Sequence, residues 1–538
     1  MADVLGFFET KFQELVDREP EPSGYFTPRP YRTGMVRFRD CRMDQFDLRR
    51  RLLEEAGLNV FMFPAHNIPG CDLLSDSGTT TMTTEQWAAL LLGDEAYGSN
   101  EGYFEVRDRL VQTFGPDWAQ QDKLRENLFL FHQGRSAEHA FFGILKHELG
   151  AAAKTGEDVT PPEGLPEDLE RRLEAGSQKA GGAWFIVPNN SHFDTTEGNV
   201  EDNCMVALNL PCREHLDDHK DFPFRGNINI DDLAALLEAA PDRVPLVYIT
   251  ITNNTGGGQP VSMANIKEAR ELTRRHDIPL FFDACRFAEN AWFIKHKEPG
   301  FSDRSIVSIV HEMFEQVDGF HISFKKDGLV NIGGAVYFKQ GGMFQEQYPH
   351  FSEMLTDHQI LTEGHPTYGG LAGRDLKALA EGLKTVVRDE YLDARIHQVG
   401  RFGNKLLAYG IPIKEPVGGH AVYIDMDRLF EGTDARDDEF RGIAFTALLL
   451  FGGHRLCELG IYAFGAHRNG KEIAPDPRVN NVRASVPRLS YEDQDLFALC
   501  ETIRVLYEHR DRIPAIEVVH GRDLNLRHFK SRFRFRND

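Results

Sequence analysis

The stretch Ile278-Pro279-Leu280-Phe281-Phe282-Asp283-Ala284-Cys285-Arg286 turns from apolar to charged at Asp283. The apolar run Ile278 to Phe282 is too short for a buried helix and reads as a strand that ends in charge. The pattern returns in His321-Ile322-Ser323-Phe324-Lys325-Lys326-Asp327, where a strand at Phe320 to Phe324 precedes two lysines. Working outward, strands are expected at Leu128 to Phe131, Trp184 to Val187 and Val244 to Thr252. Helices are expected at Ala137 to Leu149, Ala264 to His276 and Ile306 to Phe314. This β-α-β rhythm predicts an α/β fold with a largely parallel, doubly wound sheet. Ligands bind such sheets beyond the carboxyl ends of the strands.

A chain of 538 residues is long enough for two domains. Residues 1–75 read as an N-terminal arm that joins the smaller domain, with Phe7, Phe8, Phe12 and Leu15 on one helical face and a further helix within Asp44 to Ala56. Residues 76–375 form the large domain, and 376–538 the small one, opening with a long helix from Leu376 to Arg401. Thr84 to Leu92 look helical and buried. Residues 151–182 are polar and carry Pro161, Pro162 and Pro166; they read as a partly mobile surface insertion. The alternating tail Phe529 to Arg536 suits a half-buried edge strand better than a nucleic-acid contact.

The net charge of −22 argues against nucleic-acid and anionic-membrane partners. The seven cysteines form no CxxC pair, so neither a disulfide framework nor a zinc site is expected, and a cytoplasmic location is. Met1-Ala2-Asp3-Val4 lacks the basic and apolar regions of a signal peptide. No apolar run approaches the ~18–20 residues of a membrane span.

Three side chains at strand ends carry the chemistry. A carboxylate such as Asp283 can keep a pyridine nitrogen protonated, Arg286 can reach a ring oxygen, and a lysine can form a Schiff base; together they suit pyridoxal phosphate. Taken alone, Asp283 equally suits a helix cap or a salt bridge. Lys326 lies beside another cation, Lys325, in a dry setting, which favours an uncharged amine. Ser323 can add a hydroxyl to a phosphate. In His132-Gln133-Gly134-Arg135-Ser136 a glycine lets the backbone approach an anion at a helix start, and Arg135 adds charge. Asn253 to Pro260 lacks GxGxxG spacing and reads as a cofactor-contacting turn or a flexible loop.

With these segments stand Asp76-Ser77-Gly78-Thr79, Gly93-Asp94-Glu95-Ala96-Tyr97, Gly257 to Asn265, Asn331-Ile332-Gly333-Gly334, Tyr368-Gly369-Gly370-Leu371 and Pro416 to His420. In this order they resemble the aromatic amino-acid β-eliminating lyases, tryptophanase and tyrosine phenol-lyase, from about residue 35 to the end, apart from 151–182. The resemblance implies the fold-type I architecture of pyridoxal phosphate enzymes, with a seven-stranded type of sheet. It implies that Lys326 holds the cofactor and takes the Cα proton, that Asp283 pairs with the pyridine nitrogen, and that Asn254 and Arg286 contact the ring oxygen. Gln133, Gly134, Arg135 and Ser323 are implied to hold the phosphate and Phe193 to stack on the ring. Arg483 matches the arginine that clamps the substrate carboxylate, with Ser75 and Ser77 nearby, although a threonine is usual at 75. Tyr97 matches a tyrosine given across a subunit interface to protonate the leaving group. Glu95, with Gly78 and Asn331, matches a potassium site. A homotetramer built from dimers, with shared active sites, is likewise implied.

Three positions bear on the leaving group. Asp194 resembles the tryptophanase aspartate, Leu459 stands where phenol-lyase carries an arginine, and His528 matches a tryptophanase histidine. A carboxylate can accept the indole N–H as the ring is protonated, whereas Leu459 would leave a phenolate without a counter-charge. The expected reaction is β-elimination of L-tryptophan, or a substituted tryptophan, to indole, pyruvate and ammonia. Elimination from tyrosine or a cysteine derivative, or a silent binding protein of the same fold, are the alternatives. His365, a small insertion after Asn59 and Pro64-Ala65-His66 depart from the pattern.

Overall fold

The structure is a computed structural model that describes residues 10, 11, 13, 14, 29–32, 38–122, 125–156, 160–216, 220–468 and 470–536. The N-terminal face Phe7, Phe8, Phe12 and Leu15 lies outside them. Within them, the opening stretch forms the buried strand β5. In chain order the large-domain strands are β1 (Leu128–Phe131), β2 (Phe185–Asn189), β3 (Met205–Asn209), β4 (Val247–Thr250), β5 (Leu280–Asp283), β6 (Gly319–Ser323) and β7 (Gly334–Phe338). Five of them pair in the order β1-β7-β6-β5-β4. β4, β5 and β6 are mutually parallel, and β7 runs against both its neighbours.

β2 and β3 form a separate parallel pair beside β4. Side chains bridge that seam in place of a ladder. Asn189 Nδ2 donates to Thr250 Oγ1 at 3.0 Å, Asn190 Nδ2 donates to the Thr250 carbonyl at 3.0 Å, and the Thr250 amide donates to Asn190 Oδ1 at 2.8 Å. The seven expected strands are present, as five and two. Their inward residues are nearly all apolar, as a sheet covered on both faces requires.

A second core unites the small-domain strands β8 (Ala421–Asp425), β9 (Cys457–Leu459) and β12 (Asn481–Ser485), ordered β8-β12-β9 and antiparallel. Two hairpins flank them, β10 (Ala466–Arg468) with β11 (Lys471–Ile473) and β13 (Ile516–His520) with β14 (Arg532–Phe535). In β14, Phe533 is buried between exposed arginines, the edge-strand alternation read from the tail. Helix Phe46–Glu55 and the segment through Leu73 pack into this second core.

Three expectations change. The helix foreseen from Leu376 to Arg401 is two helices, Gly373–Val386 and Asp389–Ala408, and the first contains the expected 375/376 boundary. The first buries Leu376, Leu379 and Leu383 in the large core. The second begins there with Leu392 and ends in the small core with Phe402 and Leu406, and between the two helices the chain leaves helical geometry at Arg388 (ψ 131°). Helix Thr84–Leu91 is capped by a Thr83–Gln86 box, but it is not buried: Leu91 is 87% and Leu92 70% exposed.

The insertion at 151–182 is not merely a surface loop. It contains helix Glu167–Lys179, which packs on β3. Leu165, Leu169 and Leu173 recur every fourth residue and enter the large core. Arg172 fixes the helix, donating to the Asn209 carbonyl at 2.8 Å and to Asp232 at 2.7 Å. Beyond its C-terminal end, Arg468 of β10 donates to the Lys179 carbonyl at 3.1 Å. Among the described residues no helix is long and apolar enough to cross a membrane.

Leu173→Ala is expected to lower stability by about 2–5 kcal/mol in urea unfolding, as for a core truncation, while exposed Glu174→Ala stays within about 0.5 kcal/mol. A peripheral insertion would show no difference between the two.

Candidate active site

A cleft opens beyond the carboxyl ends of β4, β5 and β6, where they face β9 and β12. Asp283 ends β5, Ser323 ends β6 with Lys325 and Lys326 just after it, and Gln133 and Gly134 follow β1. The small domain contributes Leu459 from β9, Arg483 from β12, and His528 with Phe529 from the turn Arg527–Phe529. Sixteen residues singled out in the sequence line one pocket: Ser75, Ser77, Gln133, Gly134, Arg135, Phe193, Asp194, Asn254, Asp283, Arg286, Ser323, Lys325, Lys326, Leu459, Arg483 and His528.

Tyr97, Glu95, His365, Gly78 and Asn331 stand outside that lining. Tyr97 is 81% exposed and meets His365 edge to face at 5.9 Å. Asn331 Nδ2 donates to the Gly78 carbonyl at 3.0 Å, whereas Glu95 pairs with Arg374 at 2.9 Å. Gly78 and Asn331 are thus neighbours, while the Glu95 carboxylate is taken by Arg374.

At the phosphate end, helix Gly134–Leu149 starts three residues earlier than expected, which puts Gly134, Arg135 and Ser136 in its first turn. A Cβ on Gly134 would lie 2.6 Å from Ser323 Cβ, so only glycine lets the helix start reach the end of β6. At the ring end, burial alone would raise Asp283, but the adjacent His321 outweighs it and holds the carboxyl below its usual range. The Lys326 amine lies 3.8 Å from Cys285 Sγ. Burial, then Lys326 and Arg135, push the Lys325 ammonium down.

Asn254 is oriented from the small domain. Its Oδ1 accepts from the Tyr423 hydroxyl at 2.6 Å and from Arg483 Nη1 at 3.2 Å, which leaves the amide NH2 to donate. Arg483 Nη2 donates to the Leu74 carbonyl at 3.1 Å, and its buried Nε has no partner among the described residues. That free donor suits a carboxylate. Asp194 Oδ2 lies 3.4 Å from His528 Nε2, and its Oδ1 accepts from the Thr195 amide at 2.6 Å. Burial pushes Asp194 up, but His528, Arg135 and Arg483 bring it below the usual range.

Arg286 does more than face the ring. It donates to Asp76 at 2.8 and 3.1 Å. Asp76 also accepts from Arg488 at 2.9 Å, and Arg488 in turn pairs with Glu289 at 2.7 Å and Asp327 at 2.8 Å. Arg395 pairs with Glu289 at 3.1 Å. Sequence reasoning missed this network; its only signal was Arg488 within the otherwise apolar Val486-Pro487-Arg488-Leu489. It also missed Phe61, Leu74, Cys457 and Phe529 in the pocket wall. Phe61 follows the insertion after Asn59, and Asn59 Nδ2 ties that segment to the His528 carbonyl at 3.1 Å.

The cradle at Gly134, the carboxylate of Asp283 and the amine of Lys326 fit pyridoxal phosphate, and the buried donor of Arg483 fits the carboxylate of an amino acid. An aminotransferase from Staphylococcus aureus superposes with a TM-score of 0.50 at 13% identity, covering 82% of this chain and 94% of that one. The architecture is that of the fold-type I pyridoxal phosphate enzymes. The family described as β-eliminating lyase matches residues 72–502, and the chain belongs to it. It is 39% identical over 487 residues to a tryptophanase of Salinibacter ruber, covering 90% of this chain and 91% of that one. A tryptophanase of Hyphomonas neptunium is 36% identical over 509 residues (94% and 98%), and a tyrosine phenol-lyase of Symbiobacterium thermophilum 33% over 506 (94% and 98%). The chain is thus an enzyme, a β-eliminating lyase, and its fold and family imply pyridoxal phosphate.

Arg488→Ala leaves Asp327 without its arginine and takes one of two arginines from each of Asp76 and Glu289, and is expected to cost about 3–5 kcal/mol, against at most about 0.5 kcal/mol for the partly exposed Arg504→Ala. Urea unfolding of the two variants checks it.

Proposed function

We propose that the enzyme cleaves L-tryptophan, or a ring-substituted tryptophan, by β-elimination to indole, pyruvate and ammonia. The observation that carries this reading is Asp194, a buried carboxylate kept in its accepting form and facing His528. Around it the wall is apolar, made by Phe61, Leu74 and Leu459. Such a wall suits a flat indole, while Asp194 can accept the ring N–H as C3 is protonated. At Leu459 there is no cation to receive a phenolate.

Pyridoxal phosphate supplies the electron sink for negative charge at Cα. Lys326 holds it covalently and moves the Cα proton. Asp283 keeps its ring nitrogen protonated, Phe193 lies against the ring, and Asn254 and Arg286 address the ring oxygen. Gln133, Gly134, Arg135 and Ser323 bind its phosphate. Arg483, with Ser75 and Ser77, orients the substrate carboxylate.

A second copy completes the site. The loop of Glu95 and Tyr97 projects from the surface next to exposed Leu91 and Leu92, a patch that suits burial against another subunit. Delivered across an interface, Tyr97 can protonate the leaving carbon, and Glu95 can join Gly78 and Asn331 around potassium. A homotetramer of dimers, with potassium-dependent activity, follows.

Pyruvate release should be measured on a panel of tryptophan, substituted tryptophans, tyrosine and an S-aryl cysteine, with and without potassium. Tryptophans are expected to be preferred over tyrosine by at least about tenfold; preference for tyrosine refutes the reading. Asp194→Ala should lose about 10²–10⁴-fold on tryptophan yet keep S-aryl cysteine cleavage, since a thiolate leaves without ring protonation. Lys326→Ala should abolish turnover on every substrate and remove the borohydride-fixed cofactor label at position 326.

A further inference from the structure

His321 on β6 stands opposite Asp283 in the parallel register with β5, so both side chains leave the sheet on one face. There His321 Nε2 is 3.5 Å from Asp283 Oδ1 and 2.9 Å from Glu138 Oε1. Glu138 comes from helix Gly134–Leu149, the helix that starts at the phosphate end. It also accepts from Thr196 Oγ1 at 2.9 Å. On the other side of the ring, Nδ1 meets the Tyr248 hydroxyl of β4 at 3.4 Å. All four titratable groups are buried: His321 is 1%, Glu138 5%, Asp283 5% and Tyr248 0% exposed. Lys326, reached through Cys285, is the remaining charged group near Asp283.

A neutral imidazole would leave two buried carboxylates facing each other with no cation between them, a costly arrangement. A second ring proton removes that cost. Burial holds the Tyr248 phenol well above its usual ionisation, so it is a neutral hydroxyl able to accept the Nδ1 proton. Burial opposes charge on His321, yet Asp283 and Glu138 outweigh it and push the imidazole up to about 10. The carboxylate pair and one imidazolium still carry one net negative charge, which a protonated pyridine nitrogen would cancel.

We propose that His321 is a positioning residue of the cofactor site: an imidazolium clamped by Glu138, it keeps Asp283 ionised and aimed at the pyridine nitrogen. This role depends on the pyridoxal phosphate site alone and holds whichever amino acid is cleaved, so a failed substrate panel leaves it standing. The same three side chains offer ligand atoms within 4.8 Å of one another, and a bound metal is the competing use.

Neutron diffraction from crystals of the wild-type holoenzyme at pD 8.5 is expected to show deuterium on both ring nitrogens of His321; a single deuteron overturns the role. His321→Gln should raise the pyridoxal phosphate Kd at least tenfold and move the pH midpoint of the cofactor's visible absorbance. Glu138→Gln should move both in the same direction by less. A His321→Gln protein with Kd within twofold and an unmoved midpoint overturns the proposal, as does a stoichiometric metal in the purified wild type by plasma mass spectrometry.

Discussion

Six buried charges hold the molecule's two cores in register. Asp76, Glu289 and Asp327 face Arg286, Arg395 and Arg488, three anions against three cations. Buried ions repay their desolvation only when each is paired and hydrogen-bonded, and here Arg488 serves three carboxylates at once. Its partners come from the segment before the large domain's first helix, from the helix after β5, and from the residue after Lys326. A change in any of these segments is felt by the others. Burial pushes Asp327 up to about 6, with Arg488 pulling it down and Glu289 adding to the rise. The network therefore fixes the main chain beside the reactive lysine as well as the angle between the cores.

The pocket divides its work between those cores. Strand ends of the large sheet supply the residues for the ring and phosphate, where parallel strands deliver side chains to one edge. The small domain supplies Leu459, Arg483 and the His528 turn, which face the substrate. Asn254 sits at the junction, with its carbonyl oxygen taken by Tyr423 and Arg483. The large-domain and small-domain walls of the pocket are coupled through that one amide.

Much of this was legible as short runs. Strand positions followed from apolar stretches that end in charge, and the pocket residues from motifs in family order. What went unread has a common cause. Helix Glu167–Lys179 is polar on average, and its two core leucines, Leu169 and Leu173, show only once β3 is seen beneath them. The break at Val387 and Arg388 carries no proline or glycine, and it is not where the cores change: Leu392 and Ile396 beyond it still enter the large core, and Phe402 the small one. Helix Thr84–Leu91 is apolar enough to be buried, but helix Gly373–Val386 covers only its Gln86 face, and Leu91 stays exposed. Composition reports what a segment can bury, not what will lie against it.

The sequence by itself determined the β-α-β order and the placing of Asp283 and Lys326 at strand ends, and it singled out Asp194 and His528 as separate positions without pairing them. These are local: a strand end needs only its own residues to place a side chain. Only the tertiary structure decided that Arg286 pairs with Asp76 through Nε and Nη2, that Arg488 links three carboxylates, and that His321 lies between Asp283 and Glu138. Those contacts join positions up to 412 residues apart. Their energies arise from desolvation, which no residue experiences until the chain has folded around it.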